Sequence, residues 1–145
     1  MSISIFLILF SFSVSLLAAY LDFRNRIIPN KLIFPALGVV IVSTLFLSLG
    51  VAGLHWQSLL VGVLVGSGLF YAKLWGGGDA KLLMLQALSV PADQVVSLLL
   101  CIFIAGGLQA VVWRLIWPQQ KSLPYGLGMA FGYGVWAVGQ LAISN

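Results

Sequence analysis

Apolar residues run along this chain in long blocks separated by short polar punctuation. Residues 4–21, 32–50, 58–75, 94–117 and 126–144 are each apolar over the roughly 20 positions that one bilayer crossing needs. A further stretch, residues 80–90, rises only about 16 Å as a helix and reads as a short fourth helix. The punctuation is "RNRIIPNK" (24–31), "GGGD" (76–79), "SVPAD" (89–93) and "WPQQKSLPYG" (117–126). Pro29 and Pro124 belong in turns or near helix starts, because proline lacks a donor and disfavours a helical residue before it. Pro35 is expected in the first turn or so of the second helix, where proline is best tolerated. The pattern predicts an all-α polytopic membrane protein with six transmembrane helices, the fourth short. It forms a single domain over residues 1–145, with no soluble domain, long linker or internal repeat.

Composition sharpens this reading. Of the 145 residues 61% are hydrophobic and 7% charged, and the mean hydropathy is +1.12. A soluble domain carries about a quarter charged residues, so a globular cytosolic fold is excluded. The first block has no basic region before it and basic residues after it, which argues for a first transmembrane helix rather than a cleaved signal. Arg24, Arg26 and Lys31 follow the first block, Lys73 and Lys81 flank the glycine run, and Arg114 and Lys121 follow the fifth. With six crossings all of them fall on one side, which the positive-inside rule makes cytoplasmic, with both termini outside. The net charge of +4 is spread over three loops without a basic patch. It serves orientation in the membrane, and no nucleic-acid partner is expected.

Several residues read as structural. The single Cys101 excludes an internal disulfide or a thiolate zinc site and is expected to pack mid-helix. Gly62, Gly66 and Gly68 on the third helix, and Gly128 and Gly132 on the sixth, give small-xxx-small spacing that lets helix backbones approach. Packing within the chain is expected first, and a homodimer is the second use of such a stripe. Trp56, Trp75, Trp113 and Trp117 fall at helix ends, as an aromatic belt would place them. His55 is expected to anchor an outer loop, and Asp93 to cap the fifth helix from the same side.

The chain has three acidic residues and no Glu. Asp22 ends the first helix and Asp79 starts the fourth, so the topology brings both to the cytoplasmic face. Ionisable groups at membrane depth are costly and count as functional candidates. Two close carboxylates share one proton; the ionised one can activate water while the other polarises a carbonyl, which is aspartic proteolysis. Gly76, Gly77 and Gly78 are expected to adopt backbone angles closed to other residues, to leave room for another backbone, and to pair with an extended peptide. Spacing also allows plainer roles, with Asp79 as an N-cap and Asp22 paired to Arg24, Arg26 or Lys31. Helix polarity favours Asp79 as the ionised base and Asp22 as the protonated acid, while the three basic residues after Asp22 pull the other way.

The pairing of Asp22 and "IPN" (28–30) with "GGGDAK" (76–81) resembles the prepilin peptidases, the GxGD-type intramembrane aspartyl proteases of type IV pilin maturation. "LPYGLGMAFG" (123–132) is similar to that family's Pro-Tyr/Phe-Gly region. The resemblance implies that Asp22 and Asp79 are catalytic, and that Gly76, Gly77, Gly78, Lys81, Pro29 and Asn30 support the site. Pro124, Tyr125 and Gly126 would line it. It also implies a bacterial inner-membrane hydrolase, an aspartic endopeptidase that removes the leader of prepilins and pseudopilins at the cytoplasmic face. Its partners would be those substrates, membrane lipid and pilus-assembly machinery.

One departure from the family matters. Longer members carry a four-cysteine cytosolic insertion and N-methylate the mature pilin. This chain has one cysteine and no insertion between its first two helices, which takes away the support for methyltransferase activity, and it looks like the short form of tight-adherence (Flp) systems. No HExxH, GxSxG or P-loop pattern occurs, so no metal and no cofactor is expected. The alternatives are a non-catalytic membrane scaffold or assembly component of a pilus or secretion system, a small transporter subunit, and another GxGD protease. Of these last, the presenilin type lacks support because its Pro-Ala-Leu motif is missing, while the archaeal preflagellin type shares the chemistry.

Overall fold

A computed structural model describes residues 3–47, 55–120 and 123–143, with the side chains of residues 3, 4 and 47 left aside. Lys121 and the ends of two expected spans, residues 48–50 and 144, lie outside the described residues. Among the described residues six helices follow one another: α1 (Ile3–Asn25), α2 (Asn30–Leu47), α3 (Trp56–Tyr71), α4 (Gly77–Leu88), α5 (Val95–Ile116) and α6 (Tyr125–Ile143). Helices α1, α5 and α6 are long and apolar enough to cross a membrane, and α2 and α3 are shorter apolar helices. The chain is a polytopic membrane protein, with the short helix where the block lengths predict it.

Helix α4 can be short because it is the core. Leu82, Leu83, Leu85, Gln86 and Leu88 are all fully buried, and α1, α2, α3 and α6 pack around it. Outward positions on the surrounding helices are apolar instead, among them Leu16, Phe34, Leu64, Ile104, Leu115 and Val138. That arrangement suits hydrocarbon rather than water. Most of the stripe glycines work inside the chain: a β carbon on Gly62 would come within 2.8 Å of Ala87 on α4, and one on Gly132 within 2.6 Å of the Ile102 backbone on α5, whereas Gly68 faces open space and packs no helix. Removing the side chain lets the backbones close, and contact replaces the hydrophobic drive that lipid does not supply.

The ends of the helices sort into two layers. At one face the end of α1 is hydrogen-bonded to the start of α6, and the start of α4 to that of α2. At the opposite face His55, before α3, feels the charge of Asp93 in the turn before α5. Asp93 does not cap α5: the N-cap position is Gln94, which makes no side-chain cap bond.

Three further expectations are corrected. Pro35 lies in the second turn of α2 rather than the first. Trp75 and Trp113 are buried rather than part of a lipid-facing belt. Trp75 is drawn inward because α3 stops at Tyr71, where Lys73 takes a left-handed φ of 58°. The amides of Leu74 and Trp75 then both return to the Leu69 carbonyl, at 3.0 and 3.2 Å, a helix-terminating turn that satisfies otherwise orphaned groups. The Trp75 ring packs 5.1 Å from that of Tyr125.

Candidate active site

Asp22 occupies the last turn of α1 and is buried. Its neighbour Gly126, the second residue of α6, donates its backbone N–H to Asp22 Oδ2 at 2.9 Å. That amide is one of the orphan donors at a helix start, so a carboxylate is a fitting acceptor. Asp79 is the third residue of α4 and reaches back to accept the N–H of Gly76 at 3.0 Å. It therefore serves the helix start from inside the first turn, whereas the N-cap position belongs to Gly76.

Asp22 and Asp79 line one pocket of about 230 Å³, together with Arg26, Ile27 and Ile28 from the turn after α1 and Gly76, Gly77 and Gly78. The two carboxyl groups are close enough to interact electrostatically. Each accepts one backbone N–H, so hydrogen bonding treats them alike; helix polarity and the Arg26 charge are what differ between them. Such a pair can share a proton and divide acid and base roles.

The glycine run acts differently from expectation. None of its residues has a positive φ; Gly76 is extended at φ −75°, ψ 158°, and Gly77 and Gly78 already belong to α4. No open glycine strand awaits a peptide there. Only the need for space is met, at Gly78, where a β carbon would lie 2.8 Å from Ile28 Cβ. The turn that carries Ile28 crosses over α4 at that point. It is set by Arg26, whose left-handed φ of 57° ends α1 after its N–H closes on the Asp22 carbonyl at 2.8 Å. The guanidinium is held 5.2 Å from the Trp113 ring centroid and donates to Gln120 Oε1 at 3.0 Å.

The remaining expected residues frame the pocket without lining it. Lys81 Nζ donates to Asn30 Oδ1 at 2.7 Å, tying the start of α4 to that of α2. Pro29 precedes α2, and its carbonyl accepts the Leu32 N–H at 3.0 Å. The Pro124 carbonyl accepts Gln109 Nε2 at 2.7 Å, which fixes the start of α6 against α5. Tyr125 packs on Trp75, and Gly126 holds Asp22. Arg26 is expected only as a charge partner of Asp22 and Ile28 only as part of the "IPN" motif, and neither they nor Ile27 as pocket lining; the signal for the lining is two isoleucines inside an otherwise polar loop. Among the described residues no three of His, Cys, Asp or Glu gather as a metal site would require.

Comparison with known proteins returned no match among curated proteins and none among solved structures. Residues 7–113, more than half of the chain, match the model of one protein family. That span contains both aspartates and the glycine run but stops before Gly126. The match places the chain in the type IV leader peptidase family.

Proposed function

We propose that this protein is a membrane-embedded aspartic endopeptidase that removes the leader of Flp-type prepilins and pseudopilins. The observation that carries the proposal is the meeting of Asp22 and Asp79, from two different helices, in one pocket at one end of the bundle. Family membership supports leader-peptidase activity in general; the aspartic mechanism is supported by this pair. One carboxylate, ionised, takes a proton from water as the water oxygen attacks the scissile carbonyl carbon. The other, protonated, gives its proton to the carbonyl oxygen. Collapse of the tetrahedral diol then breaks the C–N bond as the first carboxyl gives the proton it took to the leaving nitrogen and the second regains one from a diol hydroxyl. The place of Asp79 at a helix start favours it as the base, and the Arg26 charge beside Asp22 acts in the opposite sense.

The pocket end of the bundle is the cytoplasmic face in this reading, because the end of α1 with Arg24 and Arg26, the turn before α4 with Lys73, and the early turns of α4 with Lys81 all stand at that end. Both termini are then outside the inner membrane. The whole chain forms one peptidase domain, and pilus-assembly machinery receives its product.

The test is leader removal in cells co-expressing a tagged Flp-type prepilin. Asp22→Asn and Asp79→Asn should each abolish processing, while Asp93→Asn, at the far face, should process normally, all at equal membrane levels. Processing by both of the first two variants would leave the aspartates as interface charges and make the protein a scaffold.

A further inference from the structure

Two helical turns beneath the carboxylate pair lies a second polar layer made by the same three helices. Ser15 precedes Asp22 by seven residues on α1, and Gln86 follows Asp79 by seven on α4. Seven residues return a helix to within about 20° of the same face and about 10.5 Å along its axis. Each residue therefore stands directly below one aspartate, deeper in the bundle. Gln86 and Ser15 are both fully buried, and Gln86 Nε2 donates to Ser15 Oγ at 3.0 Å. The same amide reaches the Met129 carbonyl of α6 at 3.4 Å, one turn beyond Gly126. The Ser15 hydroxyl donates its hydrogen bond to the Ser11 carbonyl at 2.7 Å, leaving the oxygen free to accept from Gln86.

A buried primary amide inside an apolar helix bundle is costly unless it is bonded. Everything else α4 presents to α1 around it is apolar and tolerates sliding or rotation, whereas this bond forms at one register only. We infer that Gln86 is a positioning residue: through Ser15 and Met129 it fixes the rotation and depth of α4 against α1 and α6, and so sets the approach of Asp79 to Asp22. The inference builds on the aspartic reading for its consequence in catalysis, but the helix register itself is measurable without any substrate.

The experiment is therefore a cross-linking measurement in membranes. In a Cys101→Ser background, Asp22→Cys and Asp79→Cys are treated with a short bis-methanethiosulfonate, which forms a disulfide to each thiol with release of methanesulfinate, and the joined peptides are read by mass spectrometry. Adding Gln86→Leu, or separately Ser15→Ala, should abolish the cross-link. Ser97→Ala should keep it, because Ser97 donates to the Gln94 carbonyl at 2.7 Å and accepts from Trp136 of α6 at 3.1 Å, touching neither α1 nor α4. An undiminished cross-link in both Gln86→Leu and Ser15→Ala overturns the inference while leaving the proposed function standing. No cross-link in the parent pair overturns both.

In the native background Gln86→Leu should lower kcat for leader removal by about 100-fold, the scale set by a misplacement of about 1 Å, with KM unchanged. Ser15→Thr, which keeps the hydroxyl, should retain activity where Ser15→Ala loses it. Equal kcat in Gln86→Leu and wild type would also sink the inference.

Discussion

The backbone N–H of Gly126 donates to Asp22 Oδ2 at 2.9 Å, and the same glycine leaves the space in which that carboxyl group sits. A β carbon at Gly126 would lie 3.1 Å from both Asp22 Cβ and Oδ2. One residue thus orients the carboxylate by a bond and admits it by having no side chain.

Gly126→Ala should consequently displace Asp22 by a few tenths of an ångström rather than unfold the protein. Leader removal should fall by about 10-fold to 100-fold, since reacting groups tolerate little misplacement. Gly126→Val should abolish it. Membrane levels of the alanine variant should match wild type, and initial rates on a tagged prepilin check the prediction. A wild-type rate in Gly126→Ala would mean that the Asp22 position is not held here.

Lys81 should behave as a brace rather than a participant. Its ammonium bonds Asn30 at 2.7 Å and stands 5.6 Å from the Phe34 ring centroid, but it does not line the pocket. Lys81→Met and Asn30→Ala should each cost about 1 kcal/mol of stability, the usual net value of one hydrogen bond. The double variant should cost less than their sum. Thermal unfolding in detergent measures this, and cleavage by each single variant should survive at reduced thermal range.

His55 predicts a pH effect at the opposite face. Burial pushes its pKa below the ordinary 6.5, and the Asp93 carboxylate offsets part of that shift. Because the native state holds the proton less tightly than the unfolded chain, the associated stability is present above pH 6.5 and is lost as pH falls through the lower native value. His55→Gln should flatten this loss of thermal stability on acidification, and Asp93→Asn should steepen it. Melting temperatures measured across pH 5 to 8, a window set around the usual histidine range, check both.

What the sequence reveals about this protein divides by the range of the interaction. The six helices were legible because bilayer thickness sets block length, and the aspartates because acids are rare in such a chain. The packing role of Gly62, Gly66, Gly128 and Gly132 follows from spacing alone, while Gly68 shares the spacing and faces open space. The ends of α3 and the burial of Trp75 were not legible, since they depend on Lys73 adopting a left-handed turn and on an aromatic partner, Tyr125, far along the chain. Gly126 entered only through a family resemblance, and nothing local announces its bond to Asp22. Gln86 did carry a signal, a lone amide seven residues after Asp79, which acquires meaning once Ser15 is seen opposite it. The glycine run misled most, because three adjacent glycines suggest unusual backbone angles when one of them is required for clearance.

That last point yields a graded prediction within "GGGD". At Gly77 an added β carbon would meet only the Phe70 ring at 3.5 Å, an ordinary contact, and at Gly76 it would meet Asp79 Oδ2 at 3.3 Å. Both residues have angles that alanine adopts. At Gly78 the new carbon would lie 2.8 Å from Ile28 Cβ and 3.4 Å from the Ile28 carbonyl oxygen, so the turn carrying Ile28 must lift. Overpacking of this kind costs about 1–3 kcal/mol, and here it also opens the pocket wall beside Asp22 and Asp79. Cleavage should therefore fall most in Gly78→Ala, less in Gly76→Ala and least in Gly77→Ala. Because the closest clash is with the Ile28 side chain, Ile28→Gly should restore part of the activity lost in Gly78→Ala while reducing activity when introduced alone. Failure of that rescue, with both proteins present in the membrane, would show that Gly78 serves through its own backbone rather than through the space it leaves for Ile28.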